Sequence, residues 1–241
     1  MEIKRLSDYK YKYDLHVHTA PVSPCAEIDA ETVVLNYKEI GFTGVVITNH
    51  FSRNVFDESK SKEEWLESYI KGYHDTKKFG EKYGLDVLLG IEIRFPENAN
   101  DYLVYGVDEE DVIKAYDFLD EDYKNFYKNF KNEKNLIVQA HPFRKGMVLQ
   151  DIAYLDGIET YNLHPHHNSQ PAVAVKEASL HPELIVTGGT DFHHANHQGM
   201  CGMCSRGRLS SSYELARVLK SRDYLFEVWG NKIIPYSELG E

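Results

Sequence analysis

Two apolar runs, one near each end of the chain, finish in pairs of side chains that commonly ligate metals. His16 and His18 end the run of residues 13–18, and Asp191 and His193 follow a second such run. Residues two apart on a strand leave from the same face, so each pair can reach one ion. Because most of the chain separates the runs, the pattern predicts a sheet that closes and brings its ends together around a metal cluster.

Between these runs, apolar strands alternate with amphipathic helices. Asp29 caps a helix that ends at Gly41, and Ser61 with Glu64 has capping-box form at the start of another. The predicted strands cover residues 13–18, 44–50, 86–92, 101–107, 136–142, 157–161 and 184–188, with a closing strand at 224–229. This alternation favours an α/β fold, a closed barrel of parallel strands with reactive groups at the carboxyl ends. No break in composition divides residues 1–241, which predicts a single domain.

The predicted strand ends carry an unusual concentration of imidazoles and carboxylates. They are His16, His18, His50, Glu92, His141, Asp191 and His193. Burying such a cluster is costly unless divalent ions neutralise it, and mixed His and carboxylate ligation suits Zn, Mn or Fe more than Ca or Mg. The ligands outnumber what one ion can use, which predicts two or three ions bridged by a carboxylate. Such a site activates water, so the expected reaction is hydrolysis.

These motifs, in this order, resemble those of the polymerase and histidinol phosphatase (PHP) family of metal-dependent phosphoesterases. They span nearly the whole chain. The resemblance implies a distorted (β/α)7 TIM-like barrel with a trinuclear site, in which Glu92 and Asp191 are catalytic metal ligands. It implies one metal on His16, His18, Glu92 and Asp191, a second on Glu92 and His141, and a third on His50 and His193.

Three positions depart from the family pattern. Asn49 stands where relatives have an aspartate before the histidine, which weakens the support a carboxylate would give. In the loop after His18, Cys25 and Glu27 are the candidate ligands, and Cys25 is preferred because the run before it is similar to one branch of the family. The histidine many relatives carry on the fourth strand is missing, with Asn100 or Asp101 nearby, so the second metal site is the weakest.

Several basic side chains are candidates for binding substrate. Arg144 follows His141 by three residues and could hold a phosphate, because a guanidinium forks onto phosphate oxygens. Further candidates are Arg206 with Arg208, Arg94, and the loop histidines His164, His166 and His167, of which His167 is preferred. Cys201 and Cys204 have redox or zinc spacing, but without a second such pair they are interpreted as loop cysteines.

Composition limits the partners. The formal charge of -11 argues against nucleic-acid binding, which depends on positive charge. No apolar stretch is long enough for a membrane span, and Met1 to Arg5 leads into polar residues, which predicts a cytoplasmic protein without membrane contact. Three cysteines do not form a disulfide framework. The expected partner is a small phosphorylated substrate, and the sequence leaves a homo-oligomer open.

The leading hypothesis is a phosphomonoesterase, with histidinol phosphate and nucleotide-like phosphates as substrates that the resemblance suggests. An amidohydrolase-like hydrolase is the second hypothesis, because that class also begins with a His-x-His at its first strand. A module that binds metal and phosphorylated ligands without turnover is the third, motivated by Asn49 and the fourth strand. Serine-hydrolase and P-loop motifs are absent from the sequence.

Overall fold

The computed structural model describes residues 5–56 and 58–236, so the expectation for residues 1–4 lies outside it. The described chain is an α/β protein. Its strands are β1 Tyr11–Val17, β2 Gly44–Ile47, β3 His50–Phe51, β4 Asp86–Leu89, β5 Ile91–Arg94, β6 Asp101–Tyr105, β7 Leu136–Gln139, β8 Gly157–Asn162, β9 Ile185–Gly189, β10 Cys201–Ser205, β11 Leu225–Val228 and β12 Asn231–Ile233. Its helices are α1 Ala30–Glu39, α2 Lys62–Tyr83, α3 Glu109–Tyr116, α4 Tyr123–Phe130, α5 Pro171–Leu180 and α6 Ser212–Ser221.

The helices begin where their capping residues predict. Asp29 accepts a hydrogen bond from the Thr32 backbone N–H at the start of α1. Ser61 and Glu64 form the predicted capping box of α2. The polar segment 109–134, whose composition favours helix, contains α3 and α4. Aromatic side chains of α2 and α4 pack against β5, β6 and β7 and are buried there.

Hydrogen bonding groups the strands into two six-stranded mixed sheets. Their orders are β12-β11-β10-β1-β2-β4 and β3-β5-β6-β7-β8-β9. The sheets continue into one another where β2 is followed by β3 and β4 by β5, because the Gly90 N–H donates to Ile47 and the Glu92 N–H to Asn49. This junction carries Glu92 and His50 onto neighbouring, paired positions.

The other junction lies between the ends of β1 and β9. The Phe192 N–H donates to the His16 carbonyl at 3.1 Å, and the His18 N–H donates to the Phe192 carbonyl at 3.0 Å. Gly189 permits this approach, since a Cβ there would lie 2.6 Å from His16 Cβ. Within the described residues these contacts form a single bridge rather than a regular ladder, but they place the two predicted ligand pairs side by side.

Two features differ from the predicted parallel barrel. β6 runs antiparallel to both β5 and β7, so Asp101 at its start lies at the same edge as the ends of its neighbours. The residues around Cys201 and Cys204, interpreted from the sequence as a loop, form β10, which pairs antiparallel with β1. Cys201 and Cys204 are therefore buried strand residues rather than loop cysteines. Alternation of apolar residues indicates a strand but not its direction, and the glycine beside the cysteines conceals β10 in the sequence.

Helices α1 and α6 bury apolar faces on the sheets. Val33, Val34 and Tyr37 of α1 pack with β2, and Leu215 and Leu219 of α6 pack with the strands on the other side. None of the helices in the described ranges has both the length and the apolar composition needed to cross a bilayer.

Candidate metal centre

The strand ends bring the predicted ligands together in three buried or nearly buried groups. Within each group the candidate ligand atoms lie within 4.8 Å of one another. The groups are His18 with His50 and His193, His16 with His18 and Asp191, and Glu92 with Asp101 and His141. The structure thus joins all seven strand-end residues that the sequence indicates and adds Asp101.

Glu92 is the carboxylate that most of these histidines share. Its Oε1 lies 3.1 Å from His16 Nε2 and 3.2 Å from His141 Nε2, and its Oε2 lies 3.3 Å from His18 Nε2 and 2.6 Å from His50 Nδ1. Burial alone would raise the pKa of Glu92, but the neighbouring imidazoles outweigh it and hold the pKa well below its usual range. Glu92 therefore stays ionised without exposure to water.

Asp191 is the second buried carboxylate of the centre. Its Oδ1 lies 3.5 Å from His16 Nε2 and 3.4 Å from His18 Nε2. Its Oδ2 accepts a hydrogen bond from the Arg144 guanidinium at 2.5 Å. Burial raises the pKa of Asp191, but the charge of His16, the neighbouring His18 ring and the charge of Arg144 hold it well below the usual value.

The histidines of the first pair are oriented for metal binding. His16 Nδ1 lies 3.0 Å from Glu159 Oε1, and His18 Nδ1 lies 3.0 Å from Ser23 Oγ. These oxygens can accept the Nδ1 protons, which directs each Nε2 at the carboxylates. Within the described residues both Nε2 atoms are buried and make no hydrogen bond. Burial lowers the pKa of His16, but the carboxylates raise it well above its usual value, so a divalent ion of the zinc, manganese or iron type would take the place of the proton on its Nε2.

Asn49 supports His18 indirectly. Its Oδ1 accepts hydrogen bonds from the Ser23 hydroxyl at 2.9 Å and the Thr19 N–H at 2.8 Å. Ser23 Oγ in turn accepts from the His50 backbone N–H at 3.0 Å. An amide oxygen thus serves as the acceptor in this network, so the departure from aspartate leaves the orientation of His18 intact.

Asp101 occupies the position on β6 where the sequence lacks a histidine. Its Oδ2 lies 3.7 Å from His141 Nε2, and Arg94 donates two hydrogen bonds to the carboxylate at 2.7 and 2.6 Å. Burial raises the pKa of Asp101, and the charge of Glu92 raises it further. A second cation beside these two carboxylates would relieve that repulsion.

Cys25 and Glu27 point to different places. Cys25 lines the pocket and contacts His193 and His50. Burial raises the pKa of its thiol, but hydrogen bonds from these two imidazoles outweigh it and lower the pKa to about 6. The Glu27 carboxylate is 71% exposed and lies 3.2 Å from His194 Nδ1 instead. Of the two candidates, Cys25 is the one beside the ligand groups.

A pocket of about 330 Å³ opens over the centre. Arg144 reaches into it and donates to Asn162 Oδ1 at 2.8 Å as well as to Asp191. His164 and His167 both line the pocket, but His164 is the more buried, and burial lowers its pKa to about 3. The pKa of His167 is also lowered, first by burial and then by the charge of Arg144.

Arg206 and Arg208 do not reach this pocket. They follow β10, whose Ser205 pairs with Tyr11 at the start of β1, whereas the ligands stand at the end of β1. The Arg206 guanidinium lies over the Tyr9 ring, and Arg208 forms hydrogen bonds with Asp86. The expectation that Arg206 binds phosphate assumed a loop at the rim, but the antiparallel strand carries it to the opposite end of β1.

Sequence reasoning missed Glu159 and Asn162 on β8. Glu159 bonds His16 through one oxygen and accepts the His141 N–H at 3.0 Å through the other. Asn162 donates to Glu159 at 2.9 Å and orients Arg144. A signal was present, because Gly-Ile-Glu at 157–159 repeats the Gly-Ile-Glu that ends in Glu92.

Two ligand positions have unusual backbone conformations. His141 has φ 29° and Asp191 has φ 54°, in the region that favours glycine. Such conformations persist only where the surrounding contacts impose them, and they concentrate at functional sites. Here the bonds of the His141 N–H to Glu159 and of Arg144 to Asp191 supply those contacts.

Comparison with known proteins agrees with this arrangement. The family model for the PHP domain matches residues 14–227. Similar solved structures include a two-domain Bacteroides vulgatus protein described as containing a predicted PHP-like metal-dependent phosphoesterase (15% identity, 94% of this chain, 67% of that one, TM-score 0.65). PsfC from Pseudomonas syringae has 16% identity over 86% and 87% of the chains (TM-score 0.59).

An amidohydrolase from Chromobacterium violaceum, solved with bound sulfate and no metal, has 14% identity over 76% and 88% of the chains (TM-score 0.50). No curated protein sequence matches. These structural likenesses are evidence for the fold. The family model covers most of the chain, from Asp14 to Glu227. The chain therefore belongs to the PHP domain family.

Proposed function

We propose that this protein is a metal-dependent phosphomonoesterase acting on a small phosphorylated substrate. The observation that carries the proposal is the shared carboxylate Glu92, surrounded by imidazoles whose Nε2 atoms at His16 and His18 are buried without hydrogen bonds. Arg144 lies beside this centre in the same pocket. A phosphoryl group carries several negative oxygens, which metal ions held by these ligands and a neighbouring guanidinium can bind together.

Two or three divalent ions would bind in this centre. His16, His18 and Asp191 would hold one, Glu92, Asp101 and His141 a second, and His50, His193 and Cys25 a third, with Glu92 as the bridging carboxylate. When bound, zinc, manganese or iron would polarise the phosphoryl oxygens and lower the pKa of water. Glu92 and Asp191 are catalytic in the sense that their charges fix these ions.

The protein's own residues would position the substrate. The Arg144 guanidinium is held in place by Asn162 and Asp191 and can donate further hydrogen bonds into the pocket. Arg94 is held on Asp101 at the other side. His167 stands at the entrance and would contact the part of the substrate that leaves. A fixed guanidinium loses little freedom on binding, which favours a specific orientation of the phosphate.

We also propose that the strands form the distorted (β/α)7 TIM-like barrel expected of the family. The backbone hydrogen bonds between β1 and the end of β9, and the shared ladder of β2–β3 with β4–β5, support this closure. Closure would explain why ligands from both ends of the chain meet. The cytoplasmic location and a homo-oligomer remain predictions.

The two competing hypotheses differ in their support. Similarity to the Chromobacterium violaceum amidohydrolase is evidence for the fold alone and does not select amide substrates. The binding-module hypothesis loses part of its motivation, because Asp101 fills the place on β6 and Asn49 keeps His18 oriented. Histidinol phosphate and nucleotide-like phosphates both remain candidate substrates.

Phosphate release tests the proposal. Chelated protein reloaded with Mn, Fe or Zn would be assayed on histidinol phosphate, nucleoside monophosphates and bisphosphates, and a chromogenic phosphate ester. We expect metal-dependent release that Asp191→Asn abolishes and that the matched surface variant Asp117→Asn retains, since Asp117 is exposed and pairs with Lys62. No release from protein shown to carry its metals would refute the phosphoesterase for these substrates. Turnover of amides or lactones alone would then favour the amidohydrolase.

A further inference from the structure

We propose a second, separate cation site at the entrance of the pocket, formed by His166, His194 and His197 with the carboxylate of Glu27. It would take one divalent ion that prefers imidazole, with zinc as the representative. None of these four residues belongs to the three ligand groups of the metal centre. The site is independent of whether the centre hydrolyses phosphate esters.

The three rings already stand at metal-site spacing. Ring centroids are 5.8 Å apart for His166 and His194, 4.6 Å for His166 and His197, and 5.3 Å for His194 and His197. In a tetrahedral zinc site with Zn–N bonds of about 2.0 Å, the centroids of ligating imidazoles stand about 5 Å apart. The Glu27 carboxylate supplies a fourth ligand, because its Oε2 lies 3.2 Å from His194 Nδ1.

One nitrogen of the cluster lacks a partner. His197 is 9% exposed, and its Nδ1 makes no hydrogen bond within the part of the chain that the structure describes. Its ring meets that of His166 at 87°, so the two rings are edge to face. An unpartnered imidazole nitrogen is costly to bury, and a cation would satisfy it.

The backbone of the cluster is fixed, whereas the outer rings can turn. The His166 N–H donates to His164 Nδ1 at 3.1 Å, and the His197 N–H donates to the His194 carbonyl at 3.3 Å. Because His164 Nδ1 is occupied as an acceptor, His164 forms the wall between the site and the centre rather than a ligand. The nitrogens of His166 and His194 must rotate to converge, and the broad χ2 of histidine allows this for an exposed and a half-buried ring.

The chemistry of the donors selects the ion. Three imidazoles and one carboxylate suit zinc and its transition-metal neighbours, whereas magnesium and calcium prefer oxygen ligands. His166 and His194 line the entrance of the pocket, and the His164 ring lies 5.6 Å from His193 of the centre, between the two sets of ligands.

The number of zinc ions bound per chain at a fixed concentration of free zinc tests this site. The full-length protein and two double variants would be equilibrated with zinc and analysed by elemental mass spectrometry. We expect His166→Ala with His197→Ala to hold one zinc fewer per chain than the wild type. The matched control His74→Ala with His181→Ala removes two histidines that pair with glutamates elsewhere and should hold the wild-type number. Equal zinc in the wild type and the first variant would overturn the proposal.

A milder variant covers loss of fold. If the first double variant loses more than one zinc, His166→Ala decides, because His166 is exposed and its removal leaves the core intact. We expect the weakest-bound zinc to dissociate about tenfold or more readily, with the tighter ions unchanged. A wild-type zinc titration in this variant would overturn the proposal as well.

Discussion

Two buried carboxylates in the same interior have opposite electrostatic surroundings. Asp14 accepts hydrogen bonds from the Tyr37 hydroxyl at 2.8 Å and from the Thr190 and His16 N–H groups at 2.9 and 3.1 Å. Burial raises its pKa to about 6, although these bonds oppose the rise. Glu92 is equally buried, but imidazoles surround it and its pKa is held low. Neutral donors keep one carboxylate structural, and imidazoles make the other a ligand.

The cysteines divide in the same way. We call the region of Asp14 and Cys201 the floor, and the region of Glu92 and Cys25 the mouth. Burial raises the pKa of Cys201 well above its usual value, and the charge of Asp14 adds to it. At the mouth, the pKa of Cys25 is lowered to about 6 against the effect of burial. For the two carboxylates, which are equally buried, the neighbouring charges distinguish the ligand from the core residue. The two cysteines differ in exposure as well, since Cys25 is exposed and Cys201 is buried.

Glu92→Gln should have the largest effect, because it removes the negative charge that the histidines of the mouth surround. Removing one partner from a buried ionic group costs roughly 3–5 kcal/mol, which corresponds to roughly a thousandfold in rate or affinity. We expect a loss of that order in kcat/KM for phosphate release, together with reduced metal content. The control Glu227→Gln, whose partner is Lys12 on the opposite side, should match the wild type. Wild-type turnover by Glu92→Gln would contradict the assignment of the mouth.

The sequence predicts the mouth better than the floor for a physical reason. His16, His50 and His141 stand at or just beyond apolar strand runs, where an imidazole is conspicuous. Asp14 looks like any polar residue before a strand, and its role depends on Tyr37 and Thr190, which only the fold brings to it.

Strand direction limited the prediction elsewhere. Asp101 was an uncertain candidate because an antiparallel strand presents its first residue to the mouth, and side-chain alternation carries no direction. Arg206 was misplaced for the same reason, since antiparallel β10 leads away from the mouth. The α/β class was predicted correctly, but the way the two sheets meet depends on close backbone contacts such as that at Gly189.

Glu159→Gln should lower the metal affinity of the centre without removing a ligand, so its effect should be smaller than that of Glu92→Gln. Glutamine has one acceptor oxygen, whereas Glu159 accepts from His16 through one oxygen and from His141 and Asn162 through the other. Loss of such an outer partner lowers metal affinity about 10- to 100-fold. Competition with a zinc chelator would measure the change, with the exposed Glu183→Gln as control. An unchanged affinity would show that His16 needs no carboxylate partner.

Asp14→Asn should change stability rather than metal binding. Because the folded protein holds this proton up to a pH of about 6 and the unfolded chain only to near 3.8, the carboxyl favours folding at low pH, and that contribution is lost as the pH rises through 6. The amide oxygen can still accept from the His16 and Thr190 N–H groups. We expect the chelated variant to match the wild type near pH 4 and to exceed it at pH 8 by on the order of 2 kcal/mol in urea unfolding. A variant less stable at pH 8 would mean that the ionised carboxylate is needed.

Alkylation separates the mouth and floor cysteines within one molecule. Above a pH of about 6 the Cys25 thiol is largely ionised and exposed, so iodoacetamide should modify it readily in chelated protein. Cys201 and Cys204 are buried with raised pKa values and should stay unmodified, which makes them internal controls. If Cys25 ligates an ion with His50 and His193, zinc should slow its modification by about tenfold or more. Peptide mass spectrometry would follow the rate of modification. Equal rates with and without zinc would remove Cys25 from the ligand set and leave the third ion to His18, His50 and His193.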